Sequence, residues 1–352
     1  MSMGLPAATA STTGTCATCD LLTRAVPDIA AGRWALAGCS QQMATKQLGK
    51  RLLYCTMTYV DAVDAVERSE DVVLRVAGRD RGTRGYDALV TLWDSGFRAP
   101  SLFRVPRPYG HLEAEGVLVL ERVHGTLWAD HVGGAAADLR SASERAARWL
   151  LLLQHQDPGT RPPTRAGTSA LGRSDRNPQD VAEDLARDFP QRASSLRSIA
   201  ADIDQRLAQA PADLVASHGD FHPSNVILGD DATTVIDFDT FGARAAAFDV
   251  GYAIGQLLVM SQLRLHTLGP GAAAAAHLWK CYSGEGSARW AQVRVHVART
   301  LLQSLHYELV VLRNGRVQLL DLWSRLIALT LAPEGDDGAA LLTRLQQKDV
   351  RP

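Results

Sequence analysis

At 352 residues the chain has room for two domains or one large bilobal one. Hydrophobic residues make up 46% and charged residues 21%, an ordinary globular balance, and a formal net charge of −1 gives no electrostatic reason to expect nucleic acid or an anionic membrane as partner. Five cysteines (Cys16, Cys19, Cys39, Cys55 and Cys281), odd in number and scattered, argue for a reducing compartment over a disulfide framework.

Residues 1–15 are small and polar and lack the basic and apolar regions of a signal peptide. Cys16-Ala-Thr-Cys19 is a lone Cys-x-x-Cys with no second pair, so it reads as part of a loosely packed start rather than a zinc or redox site. Leu21, Leu22, Val26 and Ile29 predict a first helix over 19–31, with Asp20 near its start. The β-branched and aromatic content of Arg51–Val60 and Asp71–Val76 predicts two strands, with a third near Ala44–Leu48 across a Gly49-Lys50 turn. Helical periodicity follows from Tyr86 to Trp93 and stops at Gly96, and Gly116–Leu120 is an apolar strand.

Further helices are predicted over 135–156 and 180–207, separated by a Pro- and Gly-rich loop. After residue 249 the pattern is helical almost throughout: 250–263, 271–282, 287–313, 317–331 and 338–347. The apolar run Val250–Leu263 is shorter than the roughly 20 residues a bilayer requires and carries Gln256, Ser261 and Gln262, so it reads as a buried helix of a cytoplasmic protein.

Between these blocks lies Ser217-His-Gly-Asp-Phe-His-Pro-Ser-Asn225, followed by Val226-Ile-Leu228 and Val235-Ile-Asp237-Phe-Asp239. A hairpin of 226–228 and 234–236, turned by Gly229-Asp230-Asp231, brings Asp237 back beside Asn225. Phosphoryl transfer wants this set. One carboxylate orients the attacking hydroxyl and accepts its proton, the part Asp220 fits; an amide oxygen and a second carboxylate, the part of Asn225 and Asp237, hold magnesium. Asp and Asn also favour turns and caps, which is the competing account of the same residues. His218 and His222 are read as holding backbone rather than transferring protons.

The stretch resembles the catalytic loop and metal-binding segment of the aminoglycoside phosphotransferase and choline kinase-like family. Its pattern is His-Gly-Asp, four residues, Asn, then Ile-Asp-aromatic-acid, then a further Asp twelve residues beyond the metal Asp, where Asp249 stands. The family often has Gly-Asp-Pro before that last Asp, where this chain has Arg244-Ala-Ala246.

The resemblance implies an α+β, bilobal protein-kinase-like fold: a flexible segment 1–19, a small antiparallel-sheet N-lobe over 20–122 that binds nucleotide, and a larger, mostly helical C-lobe over 123–352. It implies ATP or GTP and Mg²⁺ as cofactors and a hydroxyl of a small molecule as acceptor. It assigns nucleotide phosphates to Arg75, where the fold ordinarily has Lys, and adenine to the backbone of Glu121, Arg122 and Val123. Asp239 becomes a neighbour of the metal, and Asp249, like His218, a support of the catalytic loop. No Glu stands in the 86–93 helix to pair the strand cation; Asp87 is the nearest acid. Two alternatives are a kinase of peptide Ser or Thr and a non-catalytic pseudokinase. Residues 251–352 carry eleven Lys and Arg against seven Asp and Glu, a balance that argues against a polycationic acceptor.

Overall fold

The computed structural model describes residues 17–47, 50–76, 79–157, 176–209, 214–332 and 338–347. Helices α1 (Ala17–Ala25) and α2 (Pro27–Ala30) precede strands β1 (Trp34–Gln47), β2 (Lys50–Asp61) and β3 (Glu67–Val76). Helix α3 (Arg79–Asp94) leads to β4 (Phe103–Arg104), β5 (Pro108–Leu112), β6 (Val117–Glu121), β7 (Thr126–Leu127) and helix α4 (Ala136–Gln154). Then come α5 (Pro178–Asp188), α6 (Ala193–Gln209), β8 (Leu214–Ser217), β9 (Val226–Leu228), β10 (Thr233–Val235) and β11 (Gly242–Ala245). Helices α7 (Ala247–Leu265), α8 (Gly269–Ser283), α9 (Trp290–His306), α10 (Leu319–Leu331) and α11 (Gly338–Gln347) close the described chain. Two compact units emerge, one of residues 1–83 and 108–122 and one of residues 84–107 and 123–352.

In the first unit five strands form an antiparallel sheet in the order β1-β2-β3-β6-β5. Alternation along β2 sends Leu53, Cys55, Met57 and Tyr59 to one face, where they meet Val72 and Leu74 of β3, Val119 of β6 and Leu22, Val26 and Ile29 of the two short helices. Each such side chain contributes roughly 1.5–3 kcal/mol on burial. The helical stretch predicted over 19–31 is two helices because Pro27 lacks the N–H that would continue α1, and it restarts the chain as the first residue of α2. The chain passes so close over β5 at this break that a Cβ on Gly110 would stand 1.9 Å from the Ala25 carbonyl oxygen. Arg75 follows Leu74 on β3 and therefore faces away from this core, yet it is only 8% exposed.

In the second unit a small sheet runs β4-β10-β9-β7, and β8 pairs antiparallel with β11. The predicted hairpin is present one residue earlier on its second arm, with Val235 opposite Val226 and Thr233 opposite Leu228. Arg145 of α4 closes its turn, donating from Nη2 to the Gly229 carbonyl (2.8 Å) and from Nε to Thr233 Oγ1 (2.9 Å). The helix predicted over 180–207 is α5 and α6, broken at Phe189-Pro190 by the same missing N–H. Helix α7 is mostly apolar and buried along most of its length, packed against α8 and α9. The long predicted segment 287–313 is α9 followed by a π-helical turn, Tyr307–Val311. Among the described residues no helix is long and apolar enough to cross a membrane.

Candidate active site

Strand β8 delivers the chain into a loop whose first residues are fixed by a buried carboxylate. Asp249, in the first turn of α7 and 1% exposed, accepts the His218 N–H on Oδ2 (2.8 Å) and the Gly219 N–H on Oδ1 (2.9 Å). A carboxylate satisfied by two backbone donors is a strong anchor, because hydrogen bonds to a charged group are about twice as strong as neutral ones. Gly219 has φ +81°, and a Cβ there would lie 2.3 Å from the Thr240 carbonyl oxygen and 2.7 Å from Arg244 Nη1. Only glycine fits that position.

His218 is fully buried, and burial lowers its pKa, so the ring is neutral. Its two nitrogens are both committed to backbone: Nε2 donates to the Ile236 carbonyl (3.0 Å) and Nδ1 accepts the Asp220 N–H (3.2 Å). The ring thus ties the loop to the strand leading to Asp237. Phe238 lies edge-on to it (4.6 Å between centroids), and Trp149 stacks on Phe221 (5.8 Å), so the loop rests on an aromatic floor. His222 does similar work one turn on. Its Nδ1 accepts the Ser224 N–H (3.2 Å), capping the 3₁₀ turn Pro223–Asn225.

The loop presents Asp220 half-buried, with His222 Nε2 3.7 Å from its Oδ2. Burial works against its ionisation, but the neighbouring His222 and the Tyr252 hydroxyl bond outweigh it and hold the carboxyl well below its ordinary range. Asp220 is a carboxylate at any physiological pH. Five residues on, Asn225 donates from Nδ2 to the Asp220 carbonyl (3.0 Å), which fixes the amide orientation and leaves Oδ1 as its acceptor end. The Asn225 carbonyl accepts the Ile236 N–H (2.9 Å), so the hairpin sets the residue before Asp237 directly against Asn225. Asp237 itself has φ 70°, ψ 64°, a left-handed conformation that Asp tolerates better than most residues. Asp239 sits in the next turn, where a Cβ on Gly85 of α3 would come within 2.9 Å of its Oδ1.

Asp220, Asn225, Asp237, Asp239, Asp249 and His218 therefore belong to one unit, and hydrogen bonds join His218, Asp220, Asn225 and Asp249 in one loop system. Arg75, Glu121 and Arg122 lie in the other unit. There Glu121 pairs with Val72 in the sheet, and the Arg122 N–H is already donated to the Asp71 carbonyl (2.9 Å). The Arg122 guanidinium lies over the Tyr54 ring (5.2 Å). Val123 opens the second unit's next segment. Cys16 and Gly49 lie outside the described residues, but Cys19 is in α1, not in a loose start.

Two residues of the loop system are given no role by the sequence alone. Arg244 replaces the family's usual turn, is 5% exposed, donates from Nη1 to the Thr240 carbonyl (2.7 Å) and covers the Phe248 ring (5.1 Å). Tyr252 is three residues beyond Asp249 on α7, the spacing that puts both on one helix face, and its hydroxyl reaches Asp220.

The fold is of the α+β, protein-kinase-like class. The chain belongs to the phosphotransferase enzyme family, whose model matches residues 68–293. A choline/ethanolamine kinase family protein from Mesorhizobium loti shares 16% identity at a TM-score of 0.53, over 94% of this chain and 98% of that one. A thermostable mutant of aminoglycoside phosphotransferase APH(4)-Ia, in ternary complex with AMP-PNP and hygromycin B, shares 13% identity at a TM-score of 0.55, over 85% and 95%. The amicoumacin kinase hAmiN, in complex with AMP-PNP, Ca²⁺ and Ami, shares 14% identity at 0.52, over 86% and 91%. No curated protein sequence matches the chain.

Proposed function

We propose that the chain transfers the γ-phosphate of ATP or GTP to a hydroxyl of a small molecule, a sugar, an amino alcohol or an antibiotic. The observation that carries this reading is the locked loop: Asp249 and His218 fix the backbone that presents Asp220, while the hairpin sets Asn225 beside the Ile236-Asp237 peptide. Asp220 orients the acceptor hydroxyl and takes its proton, and its depressed pKa keeps it in the carboxylate form that accepts a hydrogen bond from that hydroxyl.

The donor set suits a hard divalent cation. Asn225 spends its Nδ2 on the Asp220 carbonyl, which leaves Oδ1 as its acceptor end, and Asp237 adds a carboxylate. That matches Mg²⁺, which keeps several waters and shares one or two protein oxygens with phosphate. When bound, Mg²⁺ supplies charge neutralisation to the phosphate oxygens. Arg75, a buried cation on β3, takes the nucleotide phosphates, and backbone groups of residues 121–123 other than the committed Arg122 N–H receive the base. Residues 20–122 then serve as the nucleotide lobe and residues 123–352 as the catalytic and acceptor lobe. AMP-PNP in two of the similar structures supports the nucleotide part of the reading.

A peptide acceptor is disfavoured because only a 3₁₀ turn and the four-residue β11 separate Asp237 from α7, leaving no activation loop. A pseudokinase is disfavoured because proton acceptor and both metal ligands are retained. The test is a phosphate-transfer screen of purified protein with Mg²⁺-ATP and Mg²⁺-GTP against hydroxylated metabolites and antibiotics, read as acceptor mass increased by one phosphoryl group. A labelled Ser/Thr peptide library modified in place of every small molecule would overturn the acceptor class.

A further inference from the structure

The first unit holds a thiol pair that phosphoryl transfer does not use. Cys19 lies in the first turns of α1 and Cys39 in β1, and their Sγ atoms are 2.7 Å apart although the residues are 20 apart in sequence. Both thiols are of intermediate exposure, so small oxidants reach them. The backbone around them is already set by other forces. Leu22, Ala25 and Val26 seat α1 on the sheet core, and Cys39 packs against the same cluster from β1. Thr18 Oγ1 also donates to Gln41 Oε1 (3.4 Å), a second tie between the same two elements. The pair is therefore held together by packing before any covalent bond exists. The other described cysteines differ: Cys55 is fully buried in the core, and burial raises the Cys281 thiol.

We infer that Cys19 and Cys39 form a reversible modification site, a disulfide that fastens α1 to β1 when the protein meets a peroxide. One thiolate attacks a peroxide oxygen, the O–O bond breaks, and hydroxide leaves to give a sulfenic acid. The second thiolate then attacks that sulfur and expels its oxygen as hydroxide, which is protonated to water. Two thiols lose two hydrogens and one hydrogen peroxide becomes two waters. A dithiol reductant reverses the bond. The bridge closes a short loop and restricts the unfolded chain, so it stabilises the first unit.

The test treats full-length protein with hydrogen peroxide, blocks remaining thiols with N-ethylmaleimide under denaturing conditions, and maps peptides by mass spectrometry. The expected result is a single linked peptide pair joining Cys19 to Cys39, with the other three of the five cysteines alkylated. Melting temperature rises by about 5 °C on oxidation and falls back with dithiothreitol. Cys39→Ser abolishes both the linked pair and the rise, whereas Cys281→Ser keeps both. A Cys16–Cys19 link in wild-type protein, or five alkylatable thiols after peroxide, overturns the assignment.

Discussion

Replacing Asp249 with Asn removes one acceptor from under the loop that presents Asp220 while changing almost no volume. The two carboxylate oxygens now each serve one backbone donor, His218 N–H at 2.8 Å and Gly219 N–H at 2.9 Å, in a site that is 1% exposed. An amide keeps one oxygen and turns an NH₂ toward the other donor. Loss of a hydrogen bond to a charged group costs about 1.5–3 kcal/mol, and a buried N–H left facing a donor costs about 1–3 kcal/mol more. The sum, roughly 2.5–6 kcal/mol, falls on the segment that carries Asp220. Urea unfolding should show this destabilisation, equivalent to a melting temperature lower by about 10 °C. Turnover should fall by about 10²-fold, since a displacement near 1 Å has that effect. An Asp249→Asn protein within 1 kcal/mol of wild type, with unchanged turnover, would refute the idea that this carboxylate fixes the loop.

Gly219→Ala places a Cβ 2.3 Å from the Thr240 carbonyl oxygen at φ +81°, so phosphate transfer should drop at least about tenfold while the far-ultraviolet spectrum stays native. Tyr252→Phe removes one hydrogen bond to Asp220, worth about 1 kcal/mol. Because the Asp220 pKa is depressed in the folded protein, its ionised form persists as pH falls and its share of stability is lost only below the ordinary carboxylate range. At neutral pH Tyr252→Phe therefore lowers stability in urea unfolding by about 1 kcal/mol, and an unchanged stability would count against the contact. Asp237→Asn, or chelation of wild type with EDTA, should abolish the Mg²⁺-dependent part of the thermal shift given by ATP, and an undiminished shift would remove Asp237 from metal binding.

Sequence alone carried the loop far. The short runs 226–228 and 234–236 about the Gly229-Asp230-Asp231 turn predicted a hairpin return, and the structure supplies it through the Ile236 N–H to Asn225 carbonyl bond, one residue off on the second arm. The backbone-holding part given to His218 and His222 was legible because an imidazole beside a tight turn has few other uses, and both rings accept an N–H two residues on. What could not be read depends on tertiary contact. Arg244 is an unremarkable strand arginine until the Thr240 carbonyl and the Phe248 ring are brought against it. Tyr252 reads as one apolar helix position among many, and β8 and β11 are too short for periodicity to announce. The helix breaks at Pro27 and Pro190 lay in plain view, but apolar spacing that continues across a proline masks the interruption.

The central claim is that Asp220 accepts the proton of the acceptor hydroxyl while the nucleotide is held elsewhere. The most direct measurement pairs a Mg²⁺-ATP thermal shift with a turnover assay on Asp220→Asn. The account predicts a shift like that of wild type and turnover lower by about 10²–10⁴-fold. Turnover equal to wild type in that variant would contradict it.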